Sequence, residues 1–273
     1  MRPRLNEADE RSGPITIEAP ALDPGAQDRE SRQVSFDVPA WPGGRRKLTL
    51  RAPEDVISGS GIAGLGENLR ASWDLAKDGS RATLRARNEH ISVVVGIEVV
   101  NDFIDVDTRI ANLGSRPIER VEAMFCLDPG DLDLFPDSGL DRNYLVRGGK
   151  ATSLGSERHG SGTPNFSEGT AFDLPMTVLE SVDDRWSLGH AFEQTQILGA
   201  NGSGGGVCIH TRPRFGDLAV GAASTRKGRI YLSRGRAEGL FARLRKDKPF
   251  SMPLSAPPEA TLQHPCVPSS SAR

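Results

Sequence analysis

The stretch that decides the fold is Ile91-Ser92-Val93-Val94-Val95-Gly96-Ile97-Glu98-Val99-Val100, followed by Asn101-Asp102-Phe103-Ile104-Asp105-Val106-Asp107-Thr108-Arg109-Ile110-Ala111-Asn112. In the first part Ile91, Val93, Val95, Ile97 and Val99 form one alternating set, while Val94 and Val100 fall in the other. Apolar residues in both sets describe a central strand covered on both faces. In the second part Ile104, Val106 and Ile110 alternate with Asp105, Asp107 and Arg109, as in a strand with one buried and one wet face. Asn112-Leu113-Gly114-Ser115-Arg116-Pro117 then reads as a turn, and Ile118–Leu127 as the return strand of a hairpin. An antiparallel meander from Ala82 to Leu127 follows.

Outward from this meander the pattern stays β. Ile15–Ala19, Val34–Val38 and Lys47–Arg51 read as short strands, with Trp41-Pro42-Gly43-Gly44 as the clearest turn between them. Strand signals resume at Ala171–Ser181, Trp186–Gln194, Val207–Thr211 and Arg226–Ser233, whereas Gly239–Arg245 fits either a strand or a short helix. Thirty glycines and nineteen prolines spread along 273 residues leave little room for long helices. The expected fold is all-β: a large antiparallel β-sandwich, forming a single domain over residues 14–255. Residues 128–170 read as a long loop region of the functional kind, and the polar ends, 1–13 and 256–273, as tails without fixed structure.

Charge excludes some partners. Thirty-four basic against thirty-six acidic side chains leave a formal charge of −2, so no global field draws the chain to nucleic acid or an anionic membrane. The charged start, Met1 to Glu10, lacks the apolar core of a signal peptide, and a cytoplasmic location is the expectation. Cys126, Cys208 and Cys266 fit neither a disulfide framework nor zinc-ligand spacing, so they are read as reduced thiols. No metal and no cofactor is expected. Gly59-Ser60-Gly61-Ile62-Ala63-Gly64 matches a dinucleotide fingerprint in letters only, because no βαβ unit surrounds it, and a turn is the reading taken.

Several residue groups have the chemistry of a site. Asp105 and Asp107 share one strand face, a spacing that suits an acid/base pair or a hard cation and equally a solvated face compensated by Arg109. Ser156-Glu157-Arg158-His159-Gly160 puts a titratable imidazole in the long loop region, where side chains are free to meet a ligand. His190 alternates with Trp186, Leu188 and Phe192, which marks it as a core or cleft histidine, with Glu193 on the opposite face. Cys208, His210 and Arg212 share a strand face. Side chains two apart on a strand ordinarily diverge, so an anion- or sugar-contacting His210–Arg212 edge is favoured over a thiol–imidazole pair. The basic residues from Arg226 to Lys248 read as a solvated surface.

The region from Ala82 to Leu127, with its Ala111-Asn112-Leu113-Gly114-Ser115-Arg116-Pro117 turn, resembles the core meander of galactose-mutarotase-like β-supersandwich proteins, and Gly189-His190-Ala191-Phe192 with Gly228-Arg229-Ile230-Tyr231-Leu232 is similar to their later strands. The resemblance implies a sugar-facing sheet, with histidine and carboxylate residues as acid and base in the enzymes of the group. Met124-Phe125-Cys126-Leu127 lacks the histidine that mutarotases carry near this point. A carbohydrate ligand is therefore expected, with His159, His210 and Glu193 as candidate catalytic groups. Arg158, Arg212, Asp105, Asp107 and Trp73 are the candidate ligand contacts. A binding module without catalysis is the rival expectation, and it would set Trp41, Trp73 or Tyr144 beside a groove.

Overall fold

The computed structural model describes residues 14–18, 30–41, 47–59, 65–130, 133–157, 172–202 and 207–250. Two antiparallel sheets pack face to face. The six-stranded sheet runs in the order β1 (Thr16–Glu18), β2 (Gln33–Asp37), β3 (Lys47–Ile57), β8 (Ile118–Asp128), β14 (Cys208–Leu218) and β13 (Thr195–Asn201). The nine-stranded sheet runs β10 (Lys150–Ser153), β9 (Asn143–Arg147), β11 (Met176–Glu180), β12 (Trp186–Phe192), β15 (Ala223–Arg234), β7 (Phe103–Asn112), β6 (Ile91–Val100), β5 (Arg81–Arg87) and β4 (Arg70–Leu75).

The alternation that reads as β also builds the core. Leu50, Leu127, Ile209 and Leu198 from one sheet meet Val95, Val106, Ile230 and Leu188 from the other in one buried cluster. Phe125 of β8 and Phe192 of β12 stack across the interface with ring centroids 4.3 Å apart. Burying each such side chain contributes about 1.5–3 kcal/mol, which fixes the sheets against each other. The set opposite the core in β6 is only half-buried, with Glu98 exposed, so this strand is covered on one face and not on two.

The expected hairpin after β7 does not form. β7 pairs with β6 and β15, whereas β8 pairs with β3 and β14, so Asn112–Pro117 carries the chain from one sheet to the other. Asn112 is wholly buried at this crossing. Its side-chain Nδ2 reaches the carbonyls of Arg116, Leu218 and Ala219 at 2.8, 3.0 and 3.2 Å, and its Oδ1 accepts from Gly114 N–H at 2.9 Å. One side chain thus ties together the two places, after β7 and after β14, where the chain changes sheet.

Gly239–Arg245 resolves as helix, within α1 (Ala237–Asp247). Leu240, Phe241 and Leu244 recur at helical spacing and bury one stripe. The carboxylate of buried Glu180 accepts from Ala237 N–H at 2.6 Å and satisfies the first turn. Lys248, at φ 43°, ends the helix, its N–H donating to Leu244 O. The apolar stripe lies on Met176, Val178, Ala191 and Tyr231, covering part of the outer face of the nine-stranded sheet. Arg243 fastens the helix sideways through two hydrogen bonds to Asp102, of 2.6 and 2.9 Å.

Part of the segment read as a long loop is ordered: β9 and β10 form a hairpin whose turn, Gly148-Gly149, has φ of 56° and 78°, a geometry that glycine adopts without strain. Ser60–Gly64, Pro42–Gly44, both expected tails up to residue 13 and beyond 250, and residues 158–171 lie outside the described residues.

Candidate functional site

Two polar regions stand on the two outer faces of the sandwich. The first is a shallow groove of about 360 Å³ on the nine-stranded sheet, over β5, β6, β7 and β15, closed at one end by Pro249 and Phe250 just after α1. Register places its polar groups in rows. Asp105 stands between Arg229 and Glu98, and Asp107 between Lys227 and Gly96. Arg229 grips Asp105 with two hydrogen bonds of 2.6 and 3.0 Å, and its guanidinium lies 3.8 Å above the Phe103 ring. Arg81 holds Glu98 across the β5–β6 pair at 3.0 Å.

Asp105 and Asp107 do share a face, as the alternation implies. Compensation comes from Arg229 on the neighbouring strand and not from Arg109, because cross-strand partners stand closer than residues two or four apart along one strand. Asp107 is exposed, and among the described residues its carboxylate enters no ion pair or hydrogen bond. Thr83 and Lys227 line the groove beside it. Next to the groove, Asp102 is held below the usual carboxylate range by its hydrogen bonds from Arg243, and burial pushes the Tyr231 hydroxyl up to about 12.

The second region is a cluster on the six-stranded sheet. Leu50, Leu127 and Ile209 point into the core, so the next row, Arg51, Cys126, His210 and Gly199, stands on the opposite face. Cys208 Sγ lies 3.3 Å from His210 Nε2, and ligand atoms of Cys126, Cys208 and His210, one from each, lie within 4.8 Å of one another. The expectation that residues 208 and 210 diverge is thus corrected: the imidazole leans along the strand and reaches back to the sulfur. Arg51 donates to Cys126 Sγ at 3.6 Å. An irregularity in β3 between Arg51 and Asp55 sets three residues against Phe125 alone, and Glu54 within it lies 3.7 Å from His210 Nε2 and 3.8 Å from Arg51. Contact with Cys208 and burial push the Cys126 thiol well up.

The remaining sequence candidates scatter. Glu193 closes the end of β12 and its carboxylate accepts from Lys227 N–H at 3.0 Å, which places it on the groove side, away from His210. Arg212 follows His210 along β14 and is half-buried. His190 is a core histidine: it is wholly buried, 5.4 Å from Phe192 in an edge-on contact, with Nδ1 3.5 Å from Thr211 Oγ1. Burial lowers its pKa to about 3. Trp73 packs on the core and donates to Ser31 O at 3.0 Å, Trp41 is buried against Phe135, and Tyr144 packs in the cluster under α1. None of these three rings lines the groove. Arg158 and His159 lie outside the described residues. Sequence reasoning missed Arg51, Glu54 and Cys126 as neighbours of His210, because only the registers of β3, β8 and β14 bring them together.

No protein-family model matches the chain, and no curated protein is similar to it at a significant level. Among solved structures it is similar to a galactose mutarotase related enzyme from Lactobacillus acidophilus, with 10% identity, 74% of this chain and 91% of the other covered, and a TM-score of 0.46. It is also similar to a galactose mutarotase-like protein from Lactobacillus casei, with 11% identity, coverage of 77% and 100%, and a TM-score of 0.43. A third is an α-N-acetylgalactosaminidase from Bifidobacterium bifidum, with 10% identity, coverage of 86% and 38%, and a TM-score of 0.46. The group that the sequence resembles is therefore represented among the structures this chain is similar to. Among the described residues, no helix is long and apolar enough to cross a membrane.

Proposed function

We propose that the chain binds a carbohydrate in the groove on the outer face of the nine-stranded sheet. The observation that supports this reading is the free carboxylate of Asp107, flanked by Lys227 and Thr83, while Asp105 and Glu98 around it are locked to arginines. A polyhydroxylated ligand offers donors and acceptors on every edge, and hydrogen bonds from its hydroxyls to a charged partner are about twice as strong as neutral ones. Glycine at position 96 keeps the floor low where such a ring would lie. The row of arginine–carboxylate pairs supplies further planar partners at fixed positions.

Chemistry on a sugar in this groove would draw on Asp107, with Glu193 one strand beyond Lys227 in the same row, and not on His210, which stands on the other sheet facing away. A general acid and base must reach the same ligand, and the sandwich separates these two groups. Arg158 and His159, which lie outside the described residues, stay in this proposal only as the ligand contact and the catalytic group that the sequence suggests.

The test is a thermal-shift screen of the purified protein against neutral sugars, uronic acids and sulfated oligosaccharides, followed by calorimetry of the best class. A ligand that binds only the folded state raises the midpoint. The expected result is a reproducible rise with one class that Asp107→Asn abolishes. No rise with any class at millimolar concentration would contradict the reading and favour a module that contacts other proteins.

A further inference from the structure

We propose that Cys126, Cys208 and His210 are the ligands of a divalent ion of the zinc class, on the outer face of the six-stranded sheet and independent of the groove. The three side chains come from two neighbouring strands with His210 and Cys126 directly in register, so the backbone ladder itself holds them together. Two thiolate sulfurs and one imidazole nitrogen form a donor set that selects zinc-like ions over calcium or magnesium. The separations are near those that such a site needs. In a tetrahedron with metal–sulfur bonds of about 2.3 Å and metal–nitrogen bonds of about 2.0–2.1 Å, ligand atoms stand roughly 3.5–3.8 Å apart. Here Sγ of Cys208 is 3.3 Å from Nε2 of His210, and all three atoms fit within 4.8 Å.

The direction of approach separates this reading from a nucleophilic cysteine. In a Cys–His–carboxylate triad the thiol and the carboxylate engage opposite nitrogens of the ring. In this protein both Cys208 Sγ and Glu54 Oε2, at 3.3 and 3.7 Å, approach the same nitrogen, Nε2. Cys208 Sγ and Glu54 Oε2 converging on one ring nitrogen, with Cys126 in the same cluster, is an arrangement that a shared cation would hold together. Arg51, donating to Cys126 Sγ at 3.6 Å, is the outer partner that a metal-bound thiolate takes. Cys208 is half-buried, which leaves the site a path to solvent. Binding replaces two S–H protons by two S–metal bonds, so each ion bound releases up to two protons.

The experiment uses the full chain carrying Cys266→Ser, reduced, freed of metal with a chelator and titrated with Co(II). The expected result is saturation at one ion per chain, a near-ultraviolet sulfur-to-cobalt charge-transfer band, and displacement of that band by Zn(II). Cys208→Ser should remove most of the band and weaken binding by at least about tenfold, and Arg51→Met should weaken it by about 10–100-fold with the band retained. Cys208 is half-buried and the serine nearly isosteric, so this variant keeps the test open should Cys126→Ser fail to fold. Absence of the charge-transfer band, binding indifferent to Cys208→Ser, or recovery of Cys126 and Cys208 as a disulfide that takes up no metal would each overturn the proposal.

Discussion

The two outer faces of the sandwich treat their polar residues in opposite ways. On the nine-stranded sheet, carboxylates and arginines pair across strands in register, half-buried for Asp105 and Arg229 and in the open for Glu98 and Arg81. On the six-stranded sheet, Cys126 and His210 are drawn together and buried beside Glu54 and Arg51. Pairs in a ladder satisfy one another and leave single groups such as Asp107 for a ligand that comes and goes. Thiols and an imidazole gathered in one buried place keep their polar atoms away from water and depend on one another for partners. The difference teaches that one scaffold can carry a reversible polar surface and a closed cluster back to back, separated by a single core.

The change with the largest expected effect is Asn112→Ala, which attacks the crossing that sends β7 and β8 to different sheets. It removes the amide from three backbone carbonyls and an N–H inside the fold. Each buried polar group left without a partner costs about 1–3 kcal/mol, so a loss of about 3–5 kcal/mol in denaturant unfolding is expected. A loss under about 1 kcal/mol would show that the two faces are not held apart at this point.

His190, between the two faces, gives the next effect. Its folded pKa is about 3, below the ordinary 6.5, so the native state refuses a proton that the unfolded chain accepts. The stability is complete above pH 6.5 and is lost as pH falls from there toward 3, by up to about 1.4 kcal/mol for each pH unit. Between pH 6.5 and pH 5 this amounts to about 1.6 kcal/mol, and His190→Leu should flatten that slope when unfolding is followed across the window. An unchanged slope would move the titrating group elsewhere.

The smallest change in stability belongs to Arg81→Ala. Its pair with Glu98 is exposed and contributes about 0–1 kcal/mol to folding, so the melting profile should hardly move. Sugar binding should nevertheless weaken, because Glu98 is then no longer fixed beside Asp105 on the groove floor. A variant that melts early and binds normally would reverse the roles given to this face.

The sequence carries β6 and β7 plainly because alternation is local: Ile104, Val106 and Ile110 announce their buried face without reference to anything distant. Alternation does not state which sheet a strand joins, and the expected hairpin failed there. The carbonyls of Leu218 and Ala219 that hold Asn112 lie more than a hundred residues on. In α1, Leu240, Ala242 and Leu244 fit a period of two, and only Phe241, buried beside Leu240, turns the pattern toward a helix. The groove was half legible, since Asp105 and Asp107 share a face by rule, whereas Arg229 becomes their neighbour only through pairing. The cluster at His210 was least legible, because it depends on registers among three strands far apart in the chain and on a ring leaning along its strand.

The measurement that tests the groove most directly is ligand binding to Gly96→Leu. Gly96 lines the groove beside Asp107, and a Cβ built there meets nothing closer than 3.9 Å, so the larger side chain fills the groove and not the core. The expected result is a protein that melts like the wild type and has lost its affinity for the carbohydrate found in the screen. Undiminished binding by a folded Gly96→Leu protein would contradict the assignment of the ligand to this face.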